Sequence, residues 1–132
     1  MRTPAEILAE ARTIALVGAS PRPERPSNGV MRYLLEEGYR VIPVRPHRRE
    51  VLGVPCVGSL REIDEPIDLV DVFRRPEFCP AVAEDAVAVG AKALWLQLGI
   101  VSPEARSIAE VGGLEYVENA CTAVVHSVQI KG

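Results

Sequence analysis

Short aliphatic runs alternate along the chain with stretches of helical apolar spacing, and glycine or proline marks nearly every change. Residues 13–18, Thr-Ile-Ala-Leu-Val-Gly, form an aliphatic run ending in glycine, the pattern of a buried parallel strand. In residues 19–26 three prolines argue against both helix and ladder strand. Ser27 then reads as the N-cap of a helix in which Val30, Met31, Leu34 and Leu35 recur at helical spacing. Gly38 suits the left-handed position after its last turn.

The same alternation continues to the end. Residues 4–11 predict a short opening helix, with Thr3 as cap and Ile7, Leu8 and Ala11 apolar. Residues 39–44 predict a second strand, 45–50 a basic loop, 51–58 turns with an edge extension, and Ser59 opens one helical turn. A third strand falls at 67–73. A helix follows from Pro76 to Val89, with Phe78, Val82, Ala86 and Val89 on its buried face. The fourth strand, 93–98, is nearly all apolar, as a strand covered on both faces should be. Ser102 and Pro103 start a helix that stops at Gly112 and Gly113, residues 114–118 form a fifth strand, and 121–130 read as a helix or a last strand. Five strands alternating with helices predict one domain, residues 1–132, built as a doubly wound parallel sheet between two helical layers.

Composition narrows the function classes. The net charge of −3 and pI of about 5.4 lack the basic footprint of a nucleic-acid binder. No apolar run reaches membrane-spanning length, and the N-terminus shows no signal-peptide core. Cys56, Cys79 and Cys121 are far apart and match no zinc spacing, so a reducing cytoplasm and no metal are expected.

Doubly wound sheets bind ligands at the carboxyl ends of their strands. The first such end, Gly18-Ala19-Ser20, feeds a helix N-terminus, where free amides and the positive dipole end suit an anion; a pyrophosphate is expected there. Arg22 or Arg25 could pair with its oxygens, and Ser20, Ser27 and Asn28 could donate hydrogen bonds. The glycines of the dinucleotide fingerprint are missing after Gly18, and the loop is long, which argues against a standard nicotinamide cradle. The second strand end offers Arg45, followed by His47, Arg48 and Arg49, where such a cradle wants an acid. A cation there suits a nucleotide with an additional ribose phosphate, either the 3′-phosphate of coenzyme A or the 2′-phosphate of NADP. Phe73 with Arg74 ends the third strand and could wall the ligand, or Phe73 could be plain core. Gln97 and Gly99 end the fourth, where Gly99 lets backbone approach the ligand.

Six blocks in order carry a resemblance: Val17-Gly-Ala-Ser20, Arg25-Pro-Ser27, Val41-Ile-Pro-Val-Arg-Pro46, Glu50-Val-Leu-Gly53, Val72-Phe-Arg-Arg-Pro-Glu77 and Trp95-Leu-Gln-Leu-Gly-Ile100. Together they resemble the small stand-alone CoA-binding proteins, similar in fold to the CoA-binding N-terminal domain of the succinyl-CoA synthetase α subunit. The resemblance implies a Rossmann-like domain holding coenzyme A, its ADP moiety on the first loop and helix and its pantetheine arm along the strand ends. Gly18, Ala19, Ser20, Arg25, Ser27, Pro43, Arg45, Phe73 and Arg74 carry over, with Val44 in the second-strand motif. Two motifs depart. The family's usual Val-Asn-Pro is Val44-Arg45-Pro46 here, and its Asp-Arg-Cys with Glu-His is Asn119-Ala120-Cys121 with Val125-His126.

Nothing in the chain reads as catalytic machinery. The synthetase places its phosphorylated histidine in a second domain that this chain lacks, and neither His47 nor His126 has a sequence neighbour that makes a dyad. Cys121 could act as a nucleophile or form a mixed disulfide with CoA, but a buried small hydrophobe is the favoured role. Asp68 and Asp71 alternate across the third strand and are not expected to pair. The expectation is a single-domain binder of CoA or an acyl-CoA with no catalysis of its own. The alternatives are an NADP-dependent oxidoreductase, a synthetase-like subunit needing a partner chain, or a scaffold whose crevice binds nothing.

Overall fold

The computed structural model describes residues 1–47 and 49–132, so Arg48 of the basic loop lies outside the described residues. Among the described residues seven strands and five α-helices follow one another: α1 Pro4–Glu10, β1 Thr13–Val17, α2 Pro26–Glu36, β2 Arg40–Val44, β3 Glu50–Val51, β4 Val54–Pro55, β5 Leu69–Val72, α3 Cys79–Ala88, β6 Ala93–Leu96, α4 Pro103–Val111, β7 Glu115–Val117 and α5 Thr122–Val125. Five strands form one parallel sheet in the order β2-β1-β5-β6-β7, and β3 and β4 form a small antiparallel hairpin. The chain steps outward from β1 to β2, then returns past β1 to β5. The switch point of this doubly wound, Rossmann-like sheet therefore lies between the ends of β1 and β5.

Period-two alternation in each strand feeds two cores. One face of the sheet (Ala15, Val17, Val44, Val70, Val72, Leu94, Leu96) packs on α3 and α4 through Val82, Ala83, Ala86, Ala105 and Ala109. The other face (Ile14, Leu16, Val41, Leu69, Ala93, Trp95) packs on α1 and α2 through Ile7, Leu8, Met31 and Leu34. Trp95, the only tryptophan, is fully buried there, and its indole N–H donates to the Ala120 carbonyl at 2.8 Å. No helix among the described residues is long and apolar enough to cross a membrane.

Several expectations are corrected. Ser27 is not the cap of α2: Arg25 takes the N-cap, Pro26 the first helical position, and Ser27 is buried in the first turn. Proline's fixed φ and missing N–H suit that first position, so Pro26 opens the helix it seemed to forbid. Phe78 is 40 % exposed rather than buried. Pro76–Phe78 forms a 3-10 turn, and this tighter winding turns Phe78 outward while Cys79, Val82, Ala83 and Ala86 take the inner face. The third and fourth strands are shorter than expected, so Leu98 leaves the sheet and is 71 % exposed. The C-terminal segment is helical: α5 runs on into a π-helix over His126–Lys131. Residues 51–58 extend the sheet edge as expected, because Arg45 N–H donates to the Val57 carbonyl and Val57 N–H to that of Pro43.

Candidate functional site

The ends of β2, β1, β5 and β6 open onto one crevice of about 690 Å³. Gly18 forms its floor. At φ +88° the chain turns so tightly that a Cβ there would lie 2.4 Å from the Phe73 carbonyl oxygen. Gly18 N–H donates to the Val44 carbonyl and Phe73 N–H to that of Val17, so the first strand end is clamped between its neighbours.

The following loop is shaped by its own side chains. Arg45 Nη1 donates to the Ala19 carbonyl at 3.0 Å, and buried Asn28 Nδ2 donates to the Ser20 carbonyl at 2.9 Å. Asn28 Oδ1 accepts from Arg32. These bonds hold the loop open over the first turn of α2, whose N-terminus has no side-chain cap. An uncapped helix start facing a crevice presents amide donors and a partial positive charge to whatever enters.

Among the described residues five arginines line the crevice: Arg22, Arg25, Arg45, Arg74 and Arg75. No carboxylate lines it among the described residues. Arg22 pairs with Glu24 at 2.7 Å, whereas none of the other four is in an ion pair with a described residue. Arg74 and Arg75 instead lie over the Phe78 ring, 4.5 and 5.6 Å from its centroid. That contact explains the exposed phenylalanine: it carries two guanidiniums at the crevice rim. Such an excess of positive charge favours a ligand bearing several phosphates.

Of the expected site residues, Gly18, Ser20, Arg25, Ser27, Arg45, Phe73, Arg74, Gln97 and Gly99 line the crevice together. Ala19, Asn28, Pro43 and Val44 do not. Ala19 and Asn28 brace the loop through the bonds just described, Pro43 pairs with Leu16 across the sheet, and Val44 packs into the core beneath. Phe73 belongs to both readings offered for it, packing on the core and walling the crevice. With Arg22 and Arg75, the residues Pro26, Val30, Pro76, Leu98, Ile100 and Cys121 complete the described lining.

Asp71 is the residue that sequence reasoning passed over. It sits in mid-strand, fully buried, and burial pushes its carboxyl up to about 7 while two hydrogen bonds pull the other way. Gln97 Nε2 donates to its Oδ1 at 2.6 Å, and the Thr122 hydroxyl donates to its Oδ2 at 2.9 Å. Asp68 stands just before β5 rather than within it, accepts from the amides of Arg12 and Thr13 and pairs with Lys92. His126 is buried and does not line the crevice, its Nδ1 bonded to the Tyr33 hydroxyl at 2.8 Å. Cys79 is a buried thiol whose pKa is raised chiefly by burial. No group of three His, Cys, Asp or Glu side chains among the described residues is arranged to hold a metal.

Comparison with known proteins agrees with this geometry. Residues 12–127 match the CoA binding domain family. An uncharacterised protein of Bacillus subtilis, YneT, is 44 % identical over 123 residues, covering 93 % of this chain and 91 % of its own. A hypothetical protein from Pyrococcus horikoshii OT3 superposes with a TM-score of 0.93 at 42 % identity, over 99 % of this chain and 94 % of the other. An ADP-forming acetate–CoA ligase of Archaeoglobus fulgidus is 26 % identical over 126 residues; the match takes in 88 % of this chain but only 18 % of the ligase. An arginine-lined crevice at a Rossmann-like switch point and a family match over nearly the whole sequence lead to one assignment: the chain belongs to the CoA-binding domain family.

Proposed function

We propose that the protein is a cytoplasmic binding module for coenzyme A or an acyl-CoA, with no catalysis of its own. The observation that carries the reading is the set of four crevice arginines, Arg25, Arg45, Arg74 and Arg75, that have no acidic partner among the described residues and stand across three neighbouring strand ends. The residues fit the ligand's layout. Its pyrophosphate suits the Gly18–Ser20 turn, Arg25 and the uncapped start of α2. Its 3′-phosphate suits Arg45, and its uncharged pantetheine arm suits the path along Phe73 to Gln97 and Gly99. Three cysteines, odd in number and far apart in sequence, accord with a reducing compartment. Bound CoA would supply a thiol for acyl carriage; this chain's residues grip the phosphates and order the arm.

Calorimetric titration of the ligand-stripped protein tests the reading. Micromolar or tighter binding of CoA is expected, with none of NADPH. Each charge-assisted hydrogen bond contributes about 1.5–3 kcal/mol, so dephospho-CoA should bind roughly tenfold or more weakly. Arg45→Ala should erase that difference between the two ligands, and Arg25→Ala should weaken both. NADPH binding without CoA binding would overturn the proposal, as would identical titrations for the arginine variants and the native protein.

A further inference from the structure

Every hydrogen-bond donor in the Asp71–Gln97–Thr122 cluster is committed. Gln97 Nε2 donates both to Asp71 Oδ1 at 2.6 Å and to Thr122 Oγ1 at 2.9 Å, and the Thr122 hydroxyl donates to Asp71 Oδ2. These contacts fix which way the Gln97 amide points. Turned over, its carbonyl oxygen would meet the carboxylate with no proton between them. Gln97 is 4 % exposed and lines the crevice, yet its Oε1 has no partner among the described residues. No buried side-chain oxygen or nitrogen among those residues lacks a partner, so Oε1 keeps accessible surface, and the crevice is the open space that Gln97 lines. The strand end thus offers one oriented acceptor, on a stretch of lining otherwise made of Leu98, Gly99, Ile100 and Cys121.

We propose that Gln97, held by Asp71 and Thr122, accepts a hydrogen bond at Oε1 from an amide N–H of the ligand's pantetheine arm. This inference rests on the CoA reading and adds the residue that recognises the arm rather than the phosphates. Asp71 and Thr122 are positioning residues, since neither lines the crevice. The device depends on the charge of Asp71. Once protonated, the Asp71 hydroxyl would donate to Oε1 of a turned-over amide, which would leave N–H groups facing the arm and repel its donors.

The surroundings of Asp71 hold little else that titrates. Its partners in register on β1 and β6 are Leu16 and Trp95, and α2 presents Met31 and Leu34 to this face. At α5, Cys121 precedes Thr122 and His126 is tied to Tyr33. Arg74 and Arg75 share the crevice with Gln97. Burial, Gln97 and Thr122 alone account for the shift of the Asp71 carboxyl.

The test uses calorimetry with CoA and with adenosine 3′,5′-bisphosphate, which lacks the arm. For Gln97→Leu at pH 8, CoA should bind about five- to tenfold more weakly, with bisphosphate affinity unchanged. Asp71→Asn keeps the side-chain shape but accepts either amide orientation. Its CoA affinity should fall severalfold at pH 8, again with the bisphosphate unaffected. From pH 6 to pH 8 the native protein should gain CoA affinity relative to Asp71→Asn, because the ligand's own phosphates titrate alike for both. A purely structural role would not produce that ratio. Equal losses for both ligands, or no loss for either, would overturn the inference and leave the CoA reading standing. Failure of the native protein to bind CoA would overturn both. Should Gln97→Leu not fold, the Asp71→Asn arm and its pH ratio decide alone.

Discussion

Gly18→Ala is expected to destabilise the protein by roughly 4 kcal/mol, combining left-handed backbone strain with overpacking, and to abolish CoA binding at accessible concentrations. The new methyl would sit 2.4 Å from the Phe73 carbonyl oxygen, 3.0 Å from its carbon and 3.3 Å from Arg74 Cδ. The carbonyl is held in place, because β5 is paired with β1 and β6 up to Val72 and the Phe73 N–H itself donates to the Val17 carbonyl. Relief would require parting the ends of β1 and β5, which form the middle of the crevice floor. Urea unfolding and CoA titration check both halves of the prediction. Gly99→Ala is the control: its φ of +86° is equally left-handed, but nothing lies within 4 Å of the added carbon. Backbone strain alone should cost about 1 kcal/mol there. Equal losses at the two glycines would show that crowding against Phe73 contributes nothing.

Asp71→Asn should stabilise the protein at alkaline pH and flatten its pH dependence. The native carboxyl is raised from 3.8 to about 7, chiefly by burial, so the folded state holds its proton more tightly than the unfolded chain does. Stability therefore falls as pH rises between those two values, the reverse of the usual paired carboxylate. Between pH 5 and pH 8 the loss from this group alone is about 2.5 kcal/mol. The carboxyls of Glu6, Glu65, Asp68 and Glu115 are shifted the other way, downward, so their contributions are lost only in more acidic solution. Denaturant midpoints at pH 5, 6, 7 and 8 should fall for the native protein and stay nearly level for Asp71→Asn. Parallel curves would mean that Asp71 does not titrate in this window.

Strands and crevice were largely legible because both follow from local pattern. Aliphatic runs ending in Gly18, Arg45, Phe73 and Gln97 mark strand ends, and a parallel sheet brings its strand ends to one edge. Legibility stopped where geometry depends on winding or on distant partners. A helical count from Pro76 puts Phe78 on the buried face, but the chain winds three residues per turn there before α3 begins. Ser27 looked like a cap because serine usually is one, whereas Pro26 took the first helical position and pushed the boundary back to Arg25. Asn28, Ala19, Pro43 and Val44 stand near the right place in sequence, yet the Asn28 amide and the Ala19 carbonyl brace the loop, Pro43 pairs with Leu16 in the sheet and Val44 lies in the core. Asp71 was the hardest to see. Its partners lie 26 and 51 residues away, and alternation along one strand reveals the face a side chain takes but not what waits there.

The burial of Trp95 gives the protein a built-in optical reporter. As the only indole in the chain, it is responsible for nearly all emission excited at the red edge of the absorption band. Its N–H is anchored to Ala120, the residue before crevice-lining Cys121. Emission should be blue and quencher-resistant while that segment stays docked on the sheet. Local lifting of the segment should redden it before the strands separate. Comparing the fluorescence transition with far-ultraviolet circular dichroism would then reveal whether the crevice's C-terminal wall detaches on its own or melts with the whole domain.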